Sequence, residues 1–180
     1  MNRQKIPKKL LKSLFYTSCL LLVLGATTLN AEEPDKQMRL NSTMTQIGNT
    51  ITDLFPLFLN EISFNNPENE KLIDDGVERI VSLIKTAGPH FNQRSKPSQI
   101  SYDILYENLQ ETQRAMQAGN KHYAQNLLTE VVSICTSCHT QDDKQRTLFH
   151  GKGRDAFTSD FEFAEFNYLT RNYEAAIVYY

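Results

Sequence analysis

Asn120-Lys121-His122-Tyr123-Ala124-Gln125-Asn126-Leu127-Leu128-Thr129-Glu130-Val131-Val132-Ser133-Ile134-Cys135-Thr136-Ser137-Cys138-His139 carries two patterns at once. Ala124, Leu127, Leu128, Val131, Cys135 and Cys138 recur at three- and four-residue steps, the stripe of an amphipathic helix. The last five residues read C-x-x-C-H, the attachment signature of c-type haem. In that chemistry two thiols add to porphyrin vinyl groups and the neighbouring imidazole binds iron. On a helix, Cys135, Cys138 and His139 stand at i, i+3 and i+4 and share one face, as attachment to one side of a planar ring requires. Because stripe and motif coincide, the cysteines continue the apolar face and the motif is expected to point inward.

The rest of the thiol inventory sharpens this. The chain has three cysteines, and Cys19 lies in an N-terminal segment expected to be removed. An exported protein left with Cys135 and Cys138 alone would be expected to pair them unless other chemistry consumed them, and haem attachment does so. Two rivals stand beside it. A redox dithiol usually opens a helix in a βαβ setting, and no such pattern surrounds this motif. Zinc needs four ligands, which Cys135, Cys138, His139 and His150 could supply, but three of these crowd one helical turn and no second C-x-x-C exists.

Residues 1–12 hold Arg3, Lys5, Lys8, Lys9 and Lys12 and no acid; an apolar run follows from Ser13 to Ala26, and Leu29-Asn30-Ala31 precedes Glu32. This is the order of a secretory signal peptide, with cleavage expected after Ala31. The apolar run falls short of the roughly 20 residues that a spanning helix needs, so no stable membrane span is expected. Tyr16-Thr17-Ser18-Cys19 is a poor lipidation box, because the apolar core follows the cysteine. The expected location is the periplasm. Of the charged residues, 14 of the 19 bases and all 21 acids lie beyond Ala31, a formal charge of −7 for the mature part. That excess argues against nucleic acid and anionic membranes and favours a basic protein partner.

Upstream of the motif, helical periodicity dominates. Leu40, Met44, Ile47, Ile51, Leu54 and Phe58 form one stripe, which Pro56 should kink or end. A second helix opens at Asn66-Pro67, buries Leu72, Ile73, Val77, Ile80, Val81 and Ile84, and is expected to stop at Gly88-Pro89. Residues 88–97 read as a connection. A third helix carries Ile100, Ile104, Leu105, Leu109 and Met116 and ends at Gly119, and Asn120 can cap the fourth. Four amphipathic helices with short connections predict an all-α fold, an antiparallel four-helix bundle holding one covalent haem c.

At this point the residues resemble a family. Ala118-Gly119-Asn120 opening a last helix, followed by Ser133-Ile134-Cys135-Thr136-Ser137-Cys138-His139 at its end, is similar to cytochrome c-prime. The likeness covers roughly residues 35–142 and extends to the soluble four-helix b-type cytochrome, whose first helix presents an axial Met near its start. The resemblance implies Cys135 and Cys138 as thioether sites and His139 as an axial iron ligand. Met44 lies on the first stripe, and its Met-Thr-Gln-Ile resembles the axial-Met turn of the b-type relative. A Met on an apolar stripe is usually packing alone. Met44, an open or blocked site, and a His such as His90 are therefore three readings of the sixth position. Met38 is about 120° round the helix from Met44 and off the core face.

Cytochromes c-prime end soon after the motif, whereas this chain continues. The expected organisation is a signal peptide at 1–31, a haem domain at 32–143, a linker at 144–159 and a helical hairpin at 160–180. The ending Arg171-Asn172-Tyr173-Glu174-Ala175-Ala176-Ile177-Val178-Tyr179-Tyr180 looks like the turn and second helix of a tetratricopeptide repeat. A lone unit cannot bury both faces, so the tail is either part of a larger array or docked on the bundle or another subunit. His122 reads as a solvated residue, and His90 and His150 fall in predicted loops. Arg39, Arg94 and Arg114 could pair with haem propionates, and nothing in the sequence selects among them. The expected function is an exported c-type cytochrome, an electron carrier; a haem peroxidase is the enzymatic alternative, though no acid–base residue stands out for it on the Met44 stripe. A haem-based gas binder or sensor with an interaction segment at 160–180 is the alternative. Expected partners are a redox protein, a protein bound through 160–180, and a second copy of the chain.

Overall fold

The computed structural model describes residues 34–139, 149 and 152–180. The signal-peptide reading of 1–31 and His150 lie outside them. The chain divides into two compact units, Met1–Met38 and Arg39–Tyr180, and the helical bundle belongs to the second. Every described element is helical, so the fold is all-α, and no described helix is long and apolar enough to cross a membrane.

Helix α1 (Pro34–Phe58) buries Leu40, Ile47, Ile51, Leu54, Phe55 and Phe58 along one face, leaves Met44 half-buried, and ends two residues after Pro56. A short helix α2 (Glu61–Asn65), not foreseen from the sequence, is capped by Asn60, whose Oδ1 accepts from the Ser63 amide at 2.7 Å, and it buries Phe64. Asn66 caps α3 (Pro67–Phe91) by accepting from the Glu68 amide at 3.0 Å, with Pro67 in the first turn where no amide hydrogen is needed.

Three expectations change here. Leu72 is 58% exposed, because the buried row is Ile73, Val77, Ile80 and Ile84 and Leu72 sits one step off it. The helix also runs through Gly88-Pro89 to Phe91, since a proline so near the end removes one bond of the last turn only. His90 therefore stands in that last turn and not in a loop. On α4 (Lys96–Gln117) the inward residues are Leu109, Thr112 and Ala115, while Ile100 and Ile104 are about half exposed on the outer side. Thr112 is buried without penalty because its hydroxyl donates to the Asn108 carbonyl at 2.9 Å.

Gly119, at φ 73°, closes α4: its amide reaches Met116 O at 2.9 Å and that of Asn120 reaches Ala115 O at 2.8 Å. This is the left-handed helix ending that glycine tolerates best. Helix α5 (Lys121–His139) then returns along α4, where Asn108 donates to Glu130 at 2.9 Å. The end of α1 meets the start of α5 through Gln125 Nε2 donating to Phe58 O at 2.7 Å. The starts of α3 and α5 meet through Lys121 and Glu70 at 2.8 Å. Neighbours α1–α5 and α4–α5 thus run in opposite directions.

Beyond α5, a 3-10 turn (Arg154–Ala156) leads into α6 (Asp160–Leu169) and α7 (Tyr173–Tyr179). These two pack on each other, with Phe163 edge-on to Tyr179 at 4.7 Å, and dock on the bundle. Phe166 meets Phe55 edge-on at 4.8 Å, and Asn60 Nδ2 donates to Glu162 at 2.7 Å. Phe149 and Phe157, both within the stretch read as linker, are buried in the same core. The outer side of α7 is left open: Ile177 is 76% and Tyr180 60% exposed.

Candidate functional site

The helical register of α5 puts Cys135, Cys138 and His139 on one face at its C-terminal end, and Cys135 is buried while His139 is half-buried. Cys138 is exposed, contrary to the inward placement expected for the whole motif: at i+3 it stands about 60° round the helix from the buried Cys135, in the last turn. All three line one cleft of about 560 Å³, its mouth included, together with Ile134. Met44, Ile47, Gly48 and Ile51 of α1 form another wall; Ser101, Tyr102 and Leu105 of α4 and Ile84 and Phe91 of α3 complete it. Phe149 closes it from the chain beyond α5.

The lining suits a flat apolar ligand, since ligand clefts are mostly hydrophobic with few polar groups. Neither cysteine is in a disulfide. Burial, and then the proximity of Cys138, push the Cys135 thiol up to about 12, so it is a neutral thiol at physiological pH. The aromatic wall is ordered by stacking: Tyr102 lies between Phe91 at 5.2 Å and Tyr106 at 6.0 Å. Its hydroxyl rests against Gly88, where a Cβ would come within 2.5 Å of it. Burial, with Tyr106 and Asp103 nearby, raises the Tyr102 phenol above its ordinary value.

Of the residues named from the sequence, Cys135, Cys138, His139 and Met44 come together in this cleft, and His90 is not among its lining residues. His122 is exposed at the start of α5, beside Asn126 at 3.4 Å. Arg114 pairs with Glu111 at 2.7 Å in the last turn of α4. It stands nine residues beyond Leu105, the nearest cleft-lining residue of α4, about 14 Å at 1.5 Å per residue, and so lies outside the cleft. Arg39 and Arg94 lie toward the cleft end of the bundle and are exposed. Among the described residues no three His, Cys, Asp or Glu side chains gather as a metal-holding group, so the described part of the zinc reading is not assembled.

Phe91, Tyr102 and Phe149 were missed by sequence reasoning. The i, i+4 spacing of Tyr102 and Tyr106 on the same side as Leu109 could have found the first ring of that wall. Phe91 was hidden behind a proline read as a stop. Phe149 is one aromatic in a polar stretch and carries no periodicity.

Two thiols and an imidazole on one helix face open into an apolar cleft, the residue types that covalent attachment of a porphyrin would use. No family model matches the chain, and neither does any curated protein or solved structure.

Proposed function

We propose that the chain is an exported c-type cytochrome that holds one haem c at the open end of its bundle and carries electrons. The observation that carries this reading is the convergence of Cys135, Cys138, His139 and Met44 on one apolar cleft. When bound, haem supplies one-electron redox at its iron. Cys135 and Cys138 tether it, so that it is retained through both oxidation states. His139 would supply an imidazole from α5 and Met44 a thioether from α1, the pair that raises a potential and suits electron transfer. Ile47, Ile51, Ile84 and Leu105 keep water from the cleft and so lower its dielectric.

The removal of residues 1–31, periplasmic location and a basic redox partner for the −7 mature surface belong to the same proposal. A second reading, a haem-based gas sensor that signals through residues 160–180 or through a second copy of the chain, is favoured by the exposed Tyr173, Ile177 and Tyr180 of α7.

The test is secretion alongside a cytochrome-maturation apparatus, followed by denaturing electrophoresis with a haem stain. Wild type should carry stain that survives denaturation, and Cys135→Ser with Cys138→Ser should lose it completely. Stain retained by the double variant would overturn the attachment.

A further inference from the structure

We propose that filling the cleft tightens the seating of the α6–α7 hairpin on the bundle, through the contiguous rings of Phe149, Phe55 and Phe166. Phe149 is shared by two environments. One side lines the cleft, and its ring packs edge-on against Phe55 at 5.6 Å and 81°. Phe55 is fully buried and packs edge-on, at 4.8 Å and 85°, against Phe166 of the hairpin. Phe166 continues to Phe157 at 5.2 Å, and Phe163 to Tyr179 at 4.7 Å, so the rings reach from the cleft wall to the C-terminal helix.

The hairpin is suited to respond. Helix α6 buries Glu162, Ala164, Phe166 and Asn167 and is tied to the bundle by the Asn60–Glu162 hydrogen bond, whereas α7 buries only Ala176. An element with so few buried contacts opens locally at low cost. A ligand seated against Phe149 supplies contacts on the side of that ring that Phe55 does not cover. It restricts the ring, holds Phe55 in place, and so favours the packed position of Phe166. By linkage the effect is reciprocal: a seated hairpin favours the filled cleft. The identity of the ligand rests on the haem reading above; the ring path does not.

Hydrogen exchange on the full chain separates the two. Samples are wild type matured with haem, wild type expressed without the maturation apparatus, and Phe149→Ala in both forms, with haem content fixed by intact mass. Amides of α6 and α7 should exchange about fivefold or more slowly in the haem-loaded chain, the lower range of ordinary coupling. Phe149→Ala should erase that difference, while amides of the central turns of α3 report whether the bundle itself is intact. Equal hairpin exchange in loaded and unloaded wild type would overturn the coupling, as would a difference that persists in Phe149→Ala. If no haem is found, the cofactor reading fails alone. The ring path is then judged by unloaded Phe149→Ala, where faster exchange in the hairpin but not in α3 supports it and unchanged hairpin exchange overturns it.

Discussion

The two ends of the bundle are built from the same four stripes and differ in what occupies them. At one end, Phe58, Phe64 and Leu54 fill the interior, Gln125 caps the Phe58 carbonyl, and Lys121 pairs with Glu70. At the other, the stripe positions pass to Met44, Gly48, Cys135, Cys138 and His139, which line a cleft between the helices. The first end keeps a smaller hollow, beside Phe64, Glu70 and Lys121. The cleft at the second coincides with the chemically capable residue types, and the proposed function rests on that coincidence.

Variants can break or sharpen this contrast. The largest change is expected for Met44→Ala in the haem-loaded protein. The sulfur–iron absorption band should vanish and the reduction potential fall, because a Met/His pair is what raises it. Ferric low-spin spectra that survive Met44→Ala would remove Met44 from the sixth position. Next comes Phe55→Ala, which deletes the ring shared by Phe58, Phe149 and Phe166 and should cost about 3–5 kcal/mol in urea unfolding. Leu105→Ala, on the cleft wall and only half-buried, should cost under about 2 kcal/mol because space already adjoins it. Equal losses at the two positions would abolish the distinction between a packed and an open half.

Gly119→Ala tests the turn at the packed end. With φ at 73° and open space around a new Cβ, only backbone strain is at stake, about 1–2 kcal/mol in the same unfolding measurement. The smallest effect concerns Glu162. Burial pushes its carboxyl up, but hydrogen bonds from Thr158, Asn60 and Ser159 outweigh this and hold it below its ordinary 4.5. A depressed folded-state value contributes stability that is present above pH 4.5 and is lost as pH falls through the folded value. Proteolysis of the hairpin should therefore accelerate below that point, and Glu162→Gln should flatten the dependence. A hairpin equally resistant at pH 7 and pH 3 would show that this clamp contributes nothing.

Most of the helical frame was legible because its stripes are long and its punctuation is chemical: Asn66-Pro67 opens α3 and Gly119 closes α4. What periodicity could not resolve was the width of each buried face. Leu72, Ile100 and Ile104 are apolar and correctly spaced for a helix, yet they stand one step outside the contact row. Tyr102 and Thr112 took inward positions that a hydrophobicity count passes over, one through stacking and the other through a bond to its own helix. Cys135, Cys138 and His139 were legible as neighbours because helical spacing alone joins them. The far wall was not, since Phe91 and Phe149 reach the cleft by tertiary packing from segments read as a stop and a linker. The docking of α6 and α7 on Phe55 was beyond local pattern for the same reason.

The central claim is most directly tested by intact mass and a pyridine haemochrome spectrum of the denatured, secreted protein, made in a host that attaches haem c. The account predicts a mass one haem above that of the polypeptide and a haemochrome of the two-thioether type. A colourless protein weighing only what its amino acids weigh would contradict it.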